Sequence, residues 1–437
     1  MLTSVHKLKN CVKFDFSGCG IGSKALLAQA KKSSKYVQEL ASVAKACDWS
    51  NPACSIILPN ERKFFKQSVS LAQKFSHCSL LIVVGIGGSN LGAMAVLQAI
   101  GGPYSRLLST PQVLFADTCD PRSISQIIAI GKKHAREGNE ILINIITKSG
   151  RTIETISNFG AIYSELKKEG GKISVVATSD EGSEFLRACV EEGHETLSIP
   201  KKVGGRFSVF SNAGLFPLTL AGVDTSSLLA GAKEGLSQSL SKNMKKNPAA
   251  QMASFLHLQS MKGKNIHAFF FFSNSMRALG LWSRQLLAES VGKERTLSGK
   301  KINFGITPML STGTTDLHSM AQLYLAGPAD KAFLLANVKN FGAHFEGASP
   351  LSHFAPKKAN SPARAMEAIY AGVRSAFKKE KLPFAQAQFS GLNEFCVGQY
   401  MQVQMCSTML LANMLNLNAF DQPAVEKYKT EAMRLLK

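Results

Sequence analysis

The fold is decided by the stretch from Leu80 to Gly92, LLIVVGIGGSNLG. Its first five residues are apolar and predict a buried β-strand, which runs directly into Gly85, Gly87, Gly88 and Ser89. The apolar helical stretch AMAVLQAI follows. A strand that ends in glycines and continues as a helix brings bare backbone N–H groups and the positive end of the helix dipole to one point. The stretch therefore predicts a strand–turn–helix unit that binds an anion, most often a phosphate group.

Two well-known phosphate-binding patterns do not fit this stretch. The dinucleotide-binding pattern G-x-G-x-x-G would need a glycine where Asn90 stands. The phosphate-loop pattern G-x-x-x-x-G-K-[ST] occurs nowhere in the chain. Taken alone, the motif fits a tight turn that binds nothing as well as it fits an anion site.

A second segment of the same construction favours the anion site. The strand-like run EILINII, from Glu140 to Ile146, leads into Thr147, Lys148, Ser149, Gly150, Arg151 and Thr152, ahead of a helical stretch. The hydroxyl groups in this turn can surround a phosphate or cap the helix, and both roles use the same geometry. Because the carboxyl ends of parallel strands meet at one edge of a sheet, the two turns are expected to face one crevice.

Length and composition describe an ordinary globular protein. The chain has 437 residues, of which 45% are hydrophobic, enough for two or three domains with a substantial core. It contains no apolar stretch of the length and purity of a membrane helix, and its first residues lack the apolar core of a secretory signal. Nine cysteines without a C-x-x-C pair indicate reduced thiols rather than disulfides or a zinc site. We therefore expect a cytoplasmic protein that does not bind a membrane.

The formal net charge of +21 permits binding to nucleic acid but does not indicate it. Lysines are scattered over amphipathic segments, and aromatic residues are not interleaved with them as a base-stacking surface requires. A positive field also attracts a small anionic substrate. A nucleic-acid partner is therefore not expected.

Alternation of strand-like and helix-like stretches predicts an α/β fold with doubly wound parallel sheets. One α/β unit is predicted at 54–200, and a second begins at the strand IHAFFFF and extends over 261–400. We assign 1–53 to an N-terminal helical segment, 201–260 to a connecting segment and 401–437 to a C-terminal helical segment. Two successive α/β units suggest a duplicated architecture.

Six segments in a fixed order resemble one family, the bacterial-type glucose-6-phosphate isomerases. They are GIGGSNLG at Gly85, TKSGRTIET at Thr147, GGRFSVFS at Gly204, RQLLAESVGK at Arg284, GTTDLHSMAQLYLAGP at Gly313 and FDQPAVEKYK ending at Lys429. The resemblance implies two sugar-isomerase (SIS) domains, each a three-layer αβα sandwich. It also implies the aldose–ketose isomerisation of glucose 6-phosphate and fructose 6-phosphate in glycolysis and gluconeogenesis, through a cis-enediol and without metal or organic cofactor.

The resemblance also implies which residues react. Glu289 matches the base that moves a proton between C2 and C1 of the open sugar, although an isolated helical glutamate followed by Lys293 would more simply form a surface pair. Arg206 matches the cation that stabilises the enediolate. His318 and Lys429 match the residues that open the sugar ring.

The remaining pocket residues follow from the same resemblance. Those that match the sugar- and phosphate-binding positions of the family are Gly88, Ser89, Thr147, Lys148, Ser149, Thr152, Gln285 and Gln422. Three residues depart from the family pattern: Arg151, Lys201 and Ala424. None of the departures removes a reacting group.

Two alternatives stay open at this point. The chain could act on a second sugar phosphate such as mannose 6-phosphate, because C2 epimers differ only in the face that presents the proton. It could also be a sugar-phosphate sensor without catalysis, although no DNA-binding module is recognisable. The resemblance further implies a homodimer in which His318 enters the site of the neighbouring subunit.

Overall fold

The computed structural model describes residues 11–436 except 344, 346, 348–349, 355 and 357–360. In this part of the chain the strands are β1 Val12–Asp15, β2 Leu80–Val84, β3 Gln112–Ala116, β4 Glu140–Ile146, β5 Lys172–Asp180, β6 Glu195–Ile199, β7 Ile266–Phe271, β8 Lys293–Arg295, β9 Lys301–Phe304, β10 Thr307–Thr312, β11 Lys331–Asn340 and β12 Phe384–Gly391.

Helices pack around the sheets formed by these strands. In chain order they are α1 Ser23–Lys32, α2 Ser34–Ala46, α3 Arg62–Lys74, α4 Leu91–Gly101, α5 Ser105–Leu108, α6 Pro121–Arg136, α7 Ile153–Lys168, α8 Glu184–Glu191, α9 Asn212–Leu220, α10 Thr225–Ser239, α11 Pro248–Ser260, α12 Arg277–Val291, α13 Thr315–Ser319, α14 Ala321–Ala326, α15 Pro362–Lys379, α16 Glu394–Met414 and α17 Val425–Leu435.

The first sheet is parallel throughout, in the order β3-β2-β4-β5-β6. Leu80, Ile82 and Val84 of β2 pack into one apolar cluster, and Leu81 and Val83 pack into another. Helices on both faces therefore explain why β2 is a continuous apolar run. The strand order reverses between β2 and β4, which is where open α/β sheets bind ligands.

The second sheet repeats this order, as β10-β7-β11-β12, and adds β1 at its edge. β1 is antiparallel to β12, whereas the other four strands are parallel. The N-terminal segment at 1–53, predicted as helical, thus contains the strand Val12–Asp15 ahead of the helices α1 and α2. The stretch KINFGITPML, from Lys301 to Leu310, contributes to two strands, because β9 pairs with β8 in a separate ribbon and β10 enters the main sheet.

α16 is buried along most of its length, and its residues from Phe395 to Ala412 are all buried. It packs along α10, and glycines permit the close approach: a Cβ at Gly231 would lie 1.9 Å from the Phe395 carbonyl oxygen, and one at Gly398 would lie 2.1 Å from that of Leu228. α16 begins at Glu394, so it crosses the boundary predicted at 401 for the C-terminal segment. α17 lies wholly within that segment. The division into domains stays a prediction.

The cysteines depart in part from the expectation of reduced thiols. Cys11, just before β1, forms a disulfide with Cys396 at the start of α16, with a Cα–Cα distance of 5.2 Å. The other seven cysteines are free. The sequence could not indicate this pair because it joins positions 385 residues apart. No helix in the described part of the chain has both the length and the apolar character needed to cross a membrane.

Candidate active site

The two predicted anion-binding turns meet at the carboxyl ends of β2 and β4. Val84 and Ile145 are paired across the sheet, and a Cβ at Gly85 would lie 3.1 Å from the Ile146 carbonyl oxygen. Gly87 has a φ of +57°, in the left-handed region that favours glycine. The predicted juxtaposition of the two turns is confirmed, at the point where the strand order reverses.

The hydroxyl groups of these turns do not cap the helices that follow them. The Thr147 hydroxyl donates to that of Thr152 at 3.2 Å, and the backbone N–H of Arg151 donates to Ser149 Oγ at 3.2 Å. Thr152 occupies the cap position of α7, yet its side chain does not cap the helix. The Ser89 hydroxyl makes no hydrogen bond within the described residues. Helix capping therefore does not account for these side chains, and phosphate binding remains a role for them.

Charged groups lie beside the second turn. Lys148 is half-buried and close to Asp180, which ends β5. Burial raises the pKa of the Asp180 carboxyl to about 6, and the positive charges of Lys148 and Lys201 oppose that shift. Arg151 is exposed and donates to Glu184 at 3.2 Å, so its guanidinium points along the surface in this structure.

The first turn also touches the GGRF segment. A Cβ at Gly88 would lie 2.3 Å from the carbonyl carbon of Gly205 and 2.4 Å from the backbone nitrogen of Arg206. Glycine at position 88 therefore lets the two backbones make contact. This contact places Arg206 directly beside the predicted phosphate site.

Arg206 is 2% exposed and forms five hydrogen bonds, as many as a guanidinium has N–H groups. Its donors bond Ser290 Oγ at 2.9 Å, Glu289 Oε2 at 2.9 Å, Gln422 Oε1 at 2.9 Å, the Ala419 carbonyl at 2.6 Å and the Asp421 carbonyl at 3.3 Å. Burial lowers the pKa of the Arg206 guanidinium, and the Glu289 carboxylate opposes the shift. The buried charge is thus fully paired, as its burial requires.

Both oxygens of Glu289 are held. Arg206 binds Oε2, and Gln285 Nε2 donates to Oε1 at 2.9 Å. Gln285 lies one turn earlier on α12, on the same face of the helix. Its amide also lies against the glycine turn, since a Cβ at Gly87 would be 3.0 Å from Gln285 Nε2. With the Glu289 side chain 33% exposed, the carboxylate is fixed yet reachable from solvent.

The segment FDQPAVEKYK closes this side of the site through Phe420 and Gln422. Gln422 bonds Arg206, and the ring of Phe420 packs on that of Phe207 at a centroid distance of 5.7 Å. The surface pair between Glu289 and Lys293, the simplest interpretation of the sequence, does not form. Lys293 instead pairs with Asp421 at 2.9 Å.

Two predicted residues have no contact with this cluster. His318 is exposed on α13, and its side chain makes no hydrogen bond or ion pair within the described residues. Lys429 lies on α17, which begins three residues after Gln422, and pairs with Glu426 at 2.8 Å. Their proposed roles in ring opening remain predictions.

Sequence reasoning missed Ser290, Lys293 and Asp421 as parts of the site. All three lie inside segments already singled out, LLAESVGK and FDQP. The sequence signal that could have found them is their closeness to predicted site residues: Ser290 and Lys293 follow Glu289, and Asp421 precedes Gln422. The pairings themselves join parts of the chain more than 80 residues apart, so no local pattern contains them.

Comparisons with known proteins match the chain to one family. The sequence profile of the phosphoglucose isomerase family matches residues 61–330. A glucose-6-phosphate isomerase of Carboxydothermus hydrogenoformans is 32% identical over 393 residues, covering 87% of this chain and 83% of the relative. A glucose-6-phosphate isomerase of Rubrobacter xylanophilus is 33% identical, covering 85% of this chain and 86% of the relative.

Solved structures share the fold. A hypothetical protein from Thermus thermophilus superposes with a TM-score of 0.83 at 25% identity, over 97% of this chain and 99% of that chain. A glucose-6-phosphate isomerase from Chlamydia trachomatis has a TM-score of 0.83 at 18% identity, over 98% of this chain and 88% of that chain, and shows the fold alone. The predicted α/β fold with parallel sheets is confirmed. From the profile match and the relatives above 30% identity, the chain belongs to the phosphoglucose isomerase family.

Proposed function

We propose that the chain catalyses the reversible isomerisation of glucose 6-phosphate to fructose 6-phosphate. The observation that carries the proposal is a carboxylate, Glu289, held by Arg206 and Gln285 at the edge of two hydroxyl- and glycine-rich turns. An anion-binding crevice beside an oriented base is what a sugar-phosphate isomerase requires. Family membership supports the same reaction.

In the proposed reaction, Glu289 takes the proton from C2 of open-chain glucose 6-phosphate. The electron pair of the C–H bond forms the C1–C2 double bond of an enediolate, with negative charge on oxygen. Glu289 returns the proton to C1 while a proton passes from the O2 hydroxyl to O1, which leaves the C2 carbonyl and the C1 hydroxyl of fructose 6-phosphate. One group can perform both transfers because C1 and C2 are adjacent on one face of the planar intermediate.

Arg206 is the proposed electrostatic stabiliser of that intermediate. Its charge is buried, and a fixed charge in a water-poor site acts more strongly than one in solvent. Because all five donors are used in the free protein, a direct bond to the enediolate would replace one of them. The bond from Nη1 to Gln422, an exposed side chain, is the one we expect to exchange.

The phosphate group is proposed to lie between the two turns. Ser89, Ser149 and Thr152 offer hydroxyl groups, and the first turns of α4 and α7 offer backbone N–H groups that no capping side chain occupies. The half-buried Lys148 adds a positive charge. These groups bind the end of the sugar remote from the C1–C2 bond, so their contacts change little during the reaction.

The oligomeric state and the ring-opening groups are proposals from the family. We infer a homodimer in which His318 of one subunit acts in the site that holds Glu289 of the other, with Lys429 as the second ring-opening group. The exposure of His318 on α13 supports this view, because the residue is free to meet another surface.

A coupled assay tests the proposed function. Purified protein is mixed with fructose 6-phosphate and glucose-6-phosphate dehydrogenase, and formation of the reduced nicotinamide cofactor is followed. We expect steady turnover. Tight sugar-phosphate binding without turnover would instead indicate a sensor, and equal turnover of mannose 6-phosphate in its own coupled assay would indicate broader specificity.

A mixed-dimer experiment tests the role of His318. Glu289→Gln and His318→Ala proteins are expected to be nearly inactive alone, then to regain activity when unfolded and refolded together. In each heterodimer one site carries both lesions and the other carries neither, if His318 acts across the interface. With subunit exchange shown independently, a mixture that stays inactive would mean that His318 serves its own chain.

A further inference from the structure

Lys293 is a buried lysine directly after the helix that carries Glu289. It is 9% exposed, in a protein whose other lysines mostly reach solvent. Its ammonium donates to Asp421 Oδ1 at 2.9 Å and also to the backbone carbonyl oxygen of Asp421. Burial lowers the pKa of Lys293, and the bond to Asp421 opposes the shift. A lysine is rarely buried in this way unless its charge is paired.

Asp421 joins this ammonium to the centre of the site. Its backbone carbonyl accepts hydrogen bonds from both Lys293 and Arg206, and the next residue is Gln422, which also bonds Arg206. The second carboxylate oxygen of Asp421 accepts from Asn418 Nδ2 at 2.9 Å. The short segment 418–422 is therefore held at its own ends and by two cations from other parts of the chain.

We propose that Lys293 is a positioning residue for the isomerisation. Through Asp421 it holds Gln422 and Arg206 in their positions beside Glu289. This inference rests on the proposed function for its kinetic consequence. Lys293 follows α12 by two residues, so the element that presents Glu289 is tied to the segment that presents Gln422. Without that tie, the Asp421 carbonyl is free to move away from Arg206.

The phosphate site should be insensitive to this tie. The turns at Gly85 and Thr147 are fixed by their own strands and by each other, and no hydrogen bond within the described residues connects either of them to Lys293 or Asp421. Loss of Lys293 is therefore expected to lower kcat while leaving the KM for fructose 6-phosphate little changed. If Lys293 were purely structural, its loss would lower stability without lowering kcat at constant KM.

The chain offers a matched control in Lys331. This lysine is 4% exposed and likewise donates to one carboxylate, Asp330 Oδ1, and to one backbone carbonyl, that of Pro328. It stands at the amino end of β11, whereas the site lies at the carboxyl edge of the first sheet. Lys331→Met thus removes a comparable buried charge without disturbing the contacts among Lys293, Asp421 and Arg206.

The wild-type chain is compared with four variants: Lys293→Met, Lys293→Arg, Lys331→Met and Asp421→Asn. The measurements are thermal unfolding, steady-state kinetics and hydrogen–deuterium exchange of the segment 418–423. Lys293→Met should lower kcat by about tenfold or more with KM changed less than about threefold, and should speed exchange in that segment. Lys293→Arg should recover kcat to within about threefold of wild type. Lys331→Met should lose stability with kcat within about twofold and exchange in 418–423 unchanged.

Asp421→Asn serves if Lys293→Met does not fold, because the Asp421 side chain is 48% exposed and the substitution keeps its shape. It should lower kcat by about threefold to tenfold at similar KM. Unchanged kcat and unchanged exchange in Lys293→Met would overturn the proposal, as would an equal kcat loss in Lys331→Met. If the wild-type chain itself shows no isomerisation, the proposed function fails, while faster exchange confined to Lys293→Met still supports the positioning role.

Discussion

The two sides of the crevice are built in opposite ways. The side proposed to bind the phosphate consists of two turns with hydroxyl groups at Ser89 and Ser149 and with helix ends that no side chain caps. On the other side, Arg206 uses every N–H group inside the protein and both oxygens of Glu289 are held. A group that only binds can stay unpaired until its ligand arrives, whereas a group that reacts is more effective when it is oriented beforehand. The comparison predicts that variants on the two sides change different kinetic constants.

The largest effect is expected at Glu289. Glu289→Gln keeps the shape and the polarity of the side chain but removes the group that carries the proton. We expect kcat to fall by roughly two to four orders of magnitude, with the KM for fructose 6-phosphate little changed. Glu191→Gln, an exposed glutamate on α8, is the control and should leave both constants as they are. Near-normal turnover of Glu289→Gln would exclude Glu289 as the base.

An intermediate effect is expected in the phosphate turns. Ser149→Ala and Thr152→Ala each remove a hydroxyl group proposed to bind the phosphate, a charged acceptor. Such a bond contributes about 1.5 kcal/mol or more, so KM should rise about tenfold while kcat changes little. Phosphate contacts are nearly the same in the bound substrate and in the transition state, which is why the loss appears in KM.

Ser157→Ala, exposed on α7 beyond the turn, is the matched control and should behave as wild type. The division between the two sides would be contradicted by a fall in kcat at constant KM in Ser149→Ala and Thr152→Ala.

The smallest effect concerns Asp180, behind the second turn. Its pKa is raised from 3.8 to about 6, so the folded state binds the proton more tightly than the unfolded state does. Stability from this group is therefore present at low pH and is lost as the pH rises from about 4 through about 6. Asp180→Asn should be more stable than wild type at pH 7.5 by about 1 kcal/mol, after allowance for solvent screening.

Denaturant unfolding at a series of pH values checks this prediction. The advantage of Asp180→Asn should shrink as the pH falls toward 4. Asp117→Asn, an exposed aspartate after β3, should show no such trend. An advantage that does not depend on pH would show that the charge of Asp180 is not its cause.

Local features of the fold were predictable from the sequence, whereas distant pairings were not. The five strands of the first sheet, including Leu80–Val84, follow apolar runs that end in turn residues, and their parallel order follows from the alternation with helices. β1 was missed because its pairing with β12 depends on a strand more than 350 residues away. A strand of four residues carries too little pattern to be recognised alone.

The candidate site divides in the same manner. Ser89 and Thr147 could be placed in one crevice because the ends of parallel strands meet at one sheet edge. The bond of Gln285 to Glu289 is compatible with the helical spacing of four residues. The pairing of Lys293 with Asp421 reverses the simple expectation of a partner in Glu289, because burial and the approach of a distant segment decide the partner.

Solvent isotope incorporation tests the central claim most directly. Fructose 6-phosphate and the wild-type protein are incubated in D2O over many turnovers, and glucose 6-phosphate is analysed by NMR. A proton carried by the Glu289 carboxylate exchanges with solvent, so deuterium should accumulate at C2 of glucose 6-phosphate. Glu289→Gln at the same protein concentration and incubation time should form far less product and far less label. Product that forms without deuterium after many turnovers, or label that accumulates equally with Glu289→Gln, would contradict proton transfer by this residue.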